Sequence, residues 1–439
     1  MSVISLADTV LPTTGHLAYS RALPYPPDSN VVEVQALNTE IGGGDPRRVL
    51  VVEPVFHVHS IVYWDACLRS IGFEDAQIVI ACCISEQHQR DRALAWAAHH
   101  PRAELRLLEG EHLTLSNRIA NWAAHHQSMV QVEAMLRNES FELVVYMMVD
   151  CVFPFLSLRV FRGKFRAHWA ARISGLVFRD NGLREASPPT WKARLRAGFD
   201  RFMLGRATRS PAVRRLAFLD PWCAERAREL FKSDLCIAGV DPIELRDPIP
   251  ASNVARTRLG VPDDAFAVLL FGSFSERKGI VQMLEILRDT KLHRPLCIIL
   301  GGPVAPEIRA RFDVALAAVK KQHTVLWHDG FVPDESLPDY FAAPDVVLCA
   351  YKDFTGSSGI LLHAAAFGKP ALVSPGGVMA DAVTRHGCGE VVDLGQPSTF
   401  IAALSRIAGL SEAERIALSE CALGYARVND ARRYLSQFV

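Results

Sequence analysis

The chain has 439 residues, with 48 basic and 48 acidic side chains and hence a formal net charge of zero. That length exceeds one ordinary core and suits two α/β domains, while the neutral balance gives no ground for a nucleic-acid partner. The 10 cysteines include no C-x-x-C pair, which excludes a disulfide or zinc framework of the usual spacing. Cys82 and Cys83 sit in an apolar run and read as small buried hydrophobes of a reducing compartment. The opening MSVISLADTV lacks a basic stretch followed by an apolar core. The longest apolar run, 143–156, is interrupted by Asp150 and is too short for a bilayer. The expectation is a cytoplasmic protein, free in solution or peripheral at the inner face of a membrane.

Residues 1–45 are rich in Pro, Thr, Ser and Gly, show no sustained periodicity and read as an extended arm. A first domain is expected over 46–239. Its Val-rich opening run, 48–53, predicts a parallel strand buried on both faces. Helices over 60–71, 86–99 and 116–137 alternate with strands over 77–84, 104–108, 142–149 and 173–178. The stretch 188–215 reads as irregular and strongly basic, with Lys192 and Arg194, Arg196, Arg201, Arg206, Arg209, Arg214 and Arg215 against Asp200 alone. A short strand at 235–239 and a Pro-rich linker at 240–250 follow. A second domain over 240–420 continues with strands at 266–271, 295–300, 324–328, 346–350 and 371–373. Helices at 280–288, 305–320, 335–342 and 358–367 lie between them. Closing helices run from Pro397, and the last, over 421–439, is expected to cross back to the first domain. This alternation predicts an α/β protein with two doubly wound parallel sheets.

In open α/β sheets, ligands bind beyond the carboxyl ends of the strands. Three loops of the second domain have suitable chemistry there. The first runs from Gly272 and Ser273 through Arg277 and Lys278 to Gly279. Its end glycines permit tight turns, and its two cations stand near a helix start, which suits a diphosphate. The alternative is a connecting loop with solvated charges. The second loop, Asp353-Phe-Thr355-Gly356-Ser357-Ser358-Gly359, leads into an apolar helix. Its serines can cap that helix and its glycines permit a nest of amides around an anion, against the alternative of an ordinary capped helix. The third site pairs Gly302 with Gly330-Phe331-Val332, where apolar groups and backbone amides can hold a planar base.

The runs FGSFSERKG, IILGG, HDGFVPDESLPDYFAAPDVVLC and GSSGILLHAAAFGKPALVS keep one order and spacing over 266–407. Together they resemble the C-terminal domain of the large retaining GT-B glycosyltransferase group that includes the phosphatidylinositol mannosyltransferases. The N-terminal half is similar in layout only. The resemblance implies a GT-B fold, with an acceptor-binding domain facing a nucleotide-sugar domain across a cleft. It places Lys278 on the donor diphosphate. The arginine that the family has directly after Gly272 is Ser273 here, and Arg277 stands four residues on as a substitute. Gly302 and the backbone of Phe331 and Val332 fall at the nucleobase. The amides from Gly356 through Ser357 and Ser358 to Gly359 fall at the phosphates. The family signature E-x7-E is absent: Thr355 replaces the glutamate that holds the transferred sugar, and His363 the one that binds ribose. Both replacements can still hydrogen-bond hydroxyls. The alternative for His363 is a satisfied histidine on a packed helix.

On the first domain, Glu53, His57 and His59 lie at or past the end of the first strand, where a histidine can serve as base on an acceptor hydroxyl. Arg179 and Asp180 end another strand and offer a phosphate contact and a hydroxyl contact, and Asp150 ends a third. A structural histidine or a helix-capping aspartate is the alternative at each. The basic stretch 191–215 interleaves Trp191, Leu195, Phe199, Phe202, Met203 and Leu204 with its arginines. That pattern suits either an anionic lipid surface or an internal helix with solvated charges. No D-x-D triad occurs, so neither a metal nor another cofactor is expected. The function that emerges is sugar transfer from a nucleotide-sugar to an acceptor that the sequence does not name. Retention is implied by the resemblance alone. A nucleotide-sugar epimerase of the same fold and a non-catalytic GT-B binding protein are the rivals.

Overall fold

The computed structural model describes residues 47–56, 60–109, 122–157, 173–179, 182–184, 190–245 and 248–439, so the expected arm lies outside them. The first sheet is built from β1 (Arg48–Glu53), α1 (Ser60–Arg69), β2 (Gln77–Cys82), α2 (Gln87–Ala98), β3 (Ala103–Leu107), α3 (Trp122–Asn138) and β4 (Leu143–Tyr146). It continues through α4 (Phe153–Ser157), β5 (Ile173–Val177), α5 (Trp191–Ala207), β6 (Val213–Phe218), α6 (Pro221–Phe231) and β7 (Cys236–Ala238). Its strand order is β3-β2-β1-β4-β5-β6-β7, every pairing parallel. Val49, Leu50, Val51 and Val52 are fully buried, as a strand covered by helices on both faces requires.

The second sheet follows α7 (Ser252–Leu259) with β8 (Phe266–Phe271), α8 (Ile280–Asp289), β9 (Leu296–Gly301), α9 (Arg309–Val319), β10 (Thr324–His328) and α10 (Leu337–Ala342). Next come β11 (Val346–Cys349), α11 (Gly359–Ala366), β12 (Ala371–Val373), α12 (Gly377–His386), β13 (Gly389–Val391), α13 (Pro397–Ala408) and α14 (Glu412–Val428). The order is β10-β9-β8-β11-β12-β13, again parallel throughout. Helix α8 buries Ile280, Met283, Leu284 and Leu287, the i, i+3, i+4, i+7 stripe of an amphipathic helix. Two α/β units with doubly wound parallel sheets are therefore what the chain forms.

Several stretches differ from expectation. Of the stretch 188–215, residues 188 and 189 lie outside the described residues and 190–215 are not irregular: Thr190 caps α5 by accepting from the Ala193 amide at 3.2 Å, and β6 follows. Much of the apolar surface of α5 faces outward, so no core-facing period announced the helix. The strand expected over 142–149 stops at Tyr146, because Met148 turns into the left-handed region (φ 52°) and a 3-10 turn, Val149–Cys151, carries Asp150. Helices α4, α6, α7 and α12 and strand β13 are not among the expected elements. The Gly376-Gly377 pair that opens α12 has φ of 80° and 77° and reads locally as a loop.

Helix α14 starts at a capping box between Ser411 and Glu414 and packs on α11 and α12. Beyond Asn429, the 3-10 turns Ala431–Arg433 and Ser436–Phe438 reach the first sheet. Tyr434, Leu435 and Phe438 are fully buried in its core beside α1. The Leu435 amide donates to Ser70 Oγ at 2.9 Å, and Ser174 Oγ donates to the Phe438 carbonyl at 2.7 Å.

Candidate functional site

Strand order in the second sheet reverses between β8 and β11, and the loops leaving those two strands meet at this switch point. The loop after β8 touches the loop after β9. A Cβ on Gly302 (φ 141°) would stand 2.2 Å from the Gly272 carbonyl oxygen, so only glycine permits the approach. The loop then tightens into the 3-10 turn Glu276–Lys278, which ends on Gly279 at φ 63°. This turn brings Lys278 back under the strand end. Its Nζ donates to the Phe271 carbonyl and to Tyr351 Oη, each at 3.1 Å, and lies 4.6 Å from the Tyr351 ring centroid. Burial pushes the Lys278 ammonium down to about 8, and the charge of Arg277 acts in the same direction.

Tyr351 links this lysine to the second loop, since its hydroxyl stands 3.2 Å from Ser358 Oγ at the start of α11. An ammonium, a phenol and the hydroxyl of the serine that precedes α11 thus form one line across the switch point. Ser358 is buried, whereas a Cβ added to Gly359 would meet nothing within 4 Å. Open space therefore fronts the first turn of α11, whose amides lack intrahelical acceptors. Ser357 donates to the Asp241 carboxylate, which also accepts from the Tyr63 hydroxyl at 2.9 Å. Asp241 so ties the phosphate-type loop of one sheet to α1 of the other. Arg184 crosses the same seam, binding Asp220 and, at 2.6 Å, Asp381 of α12.

Thr355 is exposed, and its carbonyl accepts from the Val378 amide at 2.9 Å. A Cβ on Gly377 would come within 2.4 Å of Thr355, so the start of α12 lies directly against this position. His363 is half-buried on α11, its ring stacked on Phe341 with centroids 5.1 Å apart. Arg277 lies 4.7 Å from the Phe354 ring centroid, and Ser273 is exposed. Gly356 packs against the Phe354 ring. Phe331 is 77 % exposed while Val332 is buried, leaving an aromatic face open to a planar ligand beside Gly330. The second sheet therefore gathers Gly272, Lys278, Gly302, Ser358 and Gly359. Tyr351 and Asp241 were missed in the sequence. A tyrosine two residues past a strand end and an Asp-Pro at a domain joint were the available signals.

The first sheet reverses between β1 and β4. His57, His59 and Asp180 lie outside the described residues. Arg179 follows β5 with Nε 3.6 Å from the Asp150 carboxylate, whose side chain is fully buried. His125 lies nearby and is held down to about 4 by burial and by the charge of Arg179. Arg179 thus neutralises Asp150 inside the protein, a role that competes with the phosphate contact expected for it. Glu53 turns its carboxyl under α1, fully buried beside Ser60 and Trp64.

Residues 252–417 match the family model of glycosyl transferases group 1. This span contains the residues gathered at the switch point of the second sheet, but not Asp241. Curated protein sequences give no match. Among solved structures, the sucrose-phosphate synthase of Thermosynechococcus elongatus is 14 % identical, with 89 % of this chain and 95 % of that one covered and a TM-score of 0.56. Anabaena HepE in complex with UDP is 12 % identical over 89 % and 98 %, with a TM-score of 0.60. A glycosyltransferase from Rickettsia africae is 13 % identical over 90 % and 98 %, with a TM-score of 0.59. This is the GT-B fold. The resemblance read in the C-terminal half thus extends in architecture to both halves. The group-level match names no mannosyltransferase branch. The line from Lys278 to Ser358 belongs to the loops of the second sheet, and Asp241 and Arg184 tie that half to the first.

Proposed function

We propose that the protein transfers a sugar from a nucleotide-sugar to an acceptor held on its N-terminal domain, with retention of configuration as the family resemblance implies. The observation that carries this reading is the line of Lys278 Nζ, Tyr351 Oη and Ser358 Oγ beside open space at the start of α11. Such a site offers a cation and helix amides to a departing diphosphate, and catalysis there is positioning plus charge stabilisation. Phe331, with Gly302 beside the strand ends, suits the nucleobase. Because Anabaena HepE is described with UDP and with UDP-glucose, uridine nucleotides are the first probes. Calorimetry with UDP, GDP and uridine is expected to give diphosphate-dependent binding. Lack of affinity for any nucleoside diphosphate would remove the reading. Nucleotide release from UDP-glucose is expected to persist in a chelator, since basic residues rather than a D-x-D triad meet the diphosphate. Conversion of the sugar with donor alone would instead identify an epimerase.

The replacement of both family glutamates favours a second reading, a binding protein that retains the donor pocket without turnover. Turnover of UDP-glucose separates the two, and His363 tests the donor pocket that both would keep. His363→Ala is expected to weaken UDP binding by about 1 kcal/mol, the usual net value of one hydrogen bond, and His363→Glu to keep or improve it. Identical affinities for the parent and both variants would restrict this ring to its packing on Phe341.

A further inference from the structure

Helix α5 presents an apolar face to solvent on the side opposite its packed one. Trp191 is 66 % exposed, Leu195 65 %, Phe199 44 % and Phe202 57 %. With 3.6 residues per turn these four project within roughly 80° of one another. Met203, Leu204 and Ala207, by contrast, are buried against the domain. Lys192 and Arg196 flank the exposed stripe on one side, Arg194 and Arg201 on the other. Where α5 meets α6, Arg201, Arg206 and Arg209 line a groove with Phe202, Leu230 and Phe231. A single exposed apolar side chain needs no explanation, but four in helical register ringed by cations do.

We propose that α5 docks the protein on an anionic phospholipid surface, with its apolar stripe in the headgroup–acyl boundary and its arginines on lipid phosphates. An amphipathic helix with aromatic and leucine side chains on one face and cations at its margins has the chemistry of interfacial binding. Each basic residue adds attraction to the negative surface. Tryptophan favours the same depth. A second copy of this chain is the less suitable occupant, because a symmetric pairing would oppose the same cations. Among the described residues no helix is long and apolar enough to cross a membrane, so contact of this kind would be peripheral. On its other side α5 lies against Gly182, whose added Cβ would touch the Ala197 backbone, and Arg184, two residues on, reaches Asp381 of the other domain. Under the sugar-transfer reading, docking on a bilayer suits an acceptor whose sugar-receiving hydroxyl is carried by a lipid; the docking itself does not rest on that reading.

The test is co-sedimentation of the full chain with vesicles of phosphatidylcholine alone or mixed with phosphatidylglycerol. Binding to the mixed vesicles at low salt is expected, with affinity at least about tenfold lower on phosphatidylcholine and falling as salt rises. The triple variant Arg194→Glu, Arg196→Glu, Arg201→Glu is expected to lose about a hundredfold. Trp191→Ser with Leu195→Ser and Phe199→Ser is expected to lose at least about tenfold even at low salt. All of these side chains but the half-buried Arg201 are exposed, so circular dichroism and UDP affinity should match the parent in both variants, which keeps failure of docking distinct from failure of the donor site. Equal binding to both vesicle types, no binding, or variants that bind like the parent would overturn the proposal. So would a dimer in solution that the serine variant splits while vesicles stay unbound.

Discussion

Lys278→Ala is expected to weaken UDP binding by about 2 kcal/mol, roughly thirtyfold, while uridine binding barely changes. The reason is local. The Nζ sits 3.1 Å from both the Phe271 carbonyl and Tyr351 Oη, on the same line as Ser358 at the start of α11. An anion arriving at the helix amides meets a cation that has already lost most of its water, so little further desolvation opposes the contact. The same burial gives a pH signature, because the ammonium titrates at about 8 in the empty protein. A bound diphosphate favours the charged form and raises that value. Below pH 8 the lysine is protonated with or without ligand, and affinity is flat. Above it, the free protein must take up a proton to bind, and affinity is expected to fall up to about tenfold per pH unit until the raised value is reached. Calorimetry from pH 7 to 10 checks this. A flat profile in the parent, or a sloping one that survives in the alanine variant, would place the diphosphate elsewhere.

Glu53→Gln is expected to stabilise the protein at neutral and mildly basic pH, by a margin that grows with pH. The Glu53 carboxyl is fully buried, and burial pushes it up to about 8. Ser60 and Trp64 approach it and favour the anion, but no described residue completes a well-formed hydrogen bond to either oxygen. Desolvation therefore prevails. In the unfolded chain an ordinary glutamate ionises near 4.3. Between that value and about 8 the folded state holds one proton more than the unfolded state, so stability falls as pH rises. The slope is about 1.4 kcal/mol per pH unit, or roughly 4 kcal/mol between pH 5 and pH 8. Glutamine keeps the shape and carries no charge, so its stability curve should lack this slope. Denaturant unfolding of both proteins across that range makes the comparison, and parallel curves would show that Glu53 is solvated or paired in solution.

The sequence reading of the fold rested on strands that announce themselves locally. Strands β1, β8, β10 and β12 have the bounds that their apolar runs predict. A parallel strand covered on both faces must be apolar at successive positions, and that constraint is visible without knowing its neighbours. The glycines of the donor side were equally legible, because a positive φ or a close backbone approach leaves a local mark. Gly302 meets both conditions and Gly272 the first. Strand β6 is masked because Arg214 and Arg215 break its run at an exposed end, and α5 because apolar residues stand on both its covered and its exposed sides.

By itself the sequence determined two alternating α/β halves, the switch-point loops of the second half and the family resemblance they carry. Each depends on residues close together in the chain. Tertiary structure alone decided what those loops meet. Asp241 joins Tyr63, 178 residues away, to Ser357, 116 residues away. Tyr351 relays Lys278 to Ser358, and Asp150 takes up Arg179. Whether the face of α5 that carries Trp191 and Phe199 points inward or outward was likewise undetermined until its opposite side was packed. Helical periodicity shows which residues share a face, but only the neighbours that cover one side show which face is left for solvent or a partner.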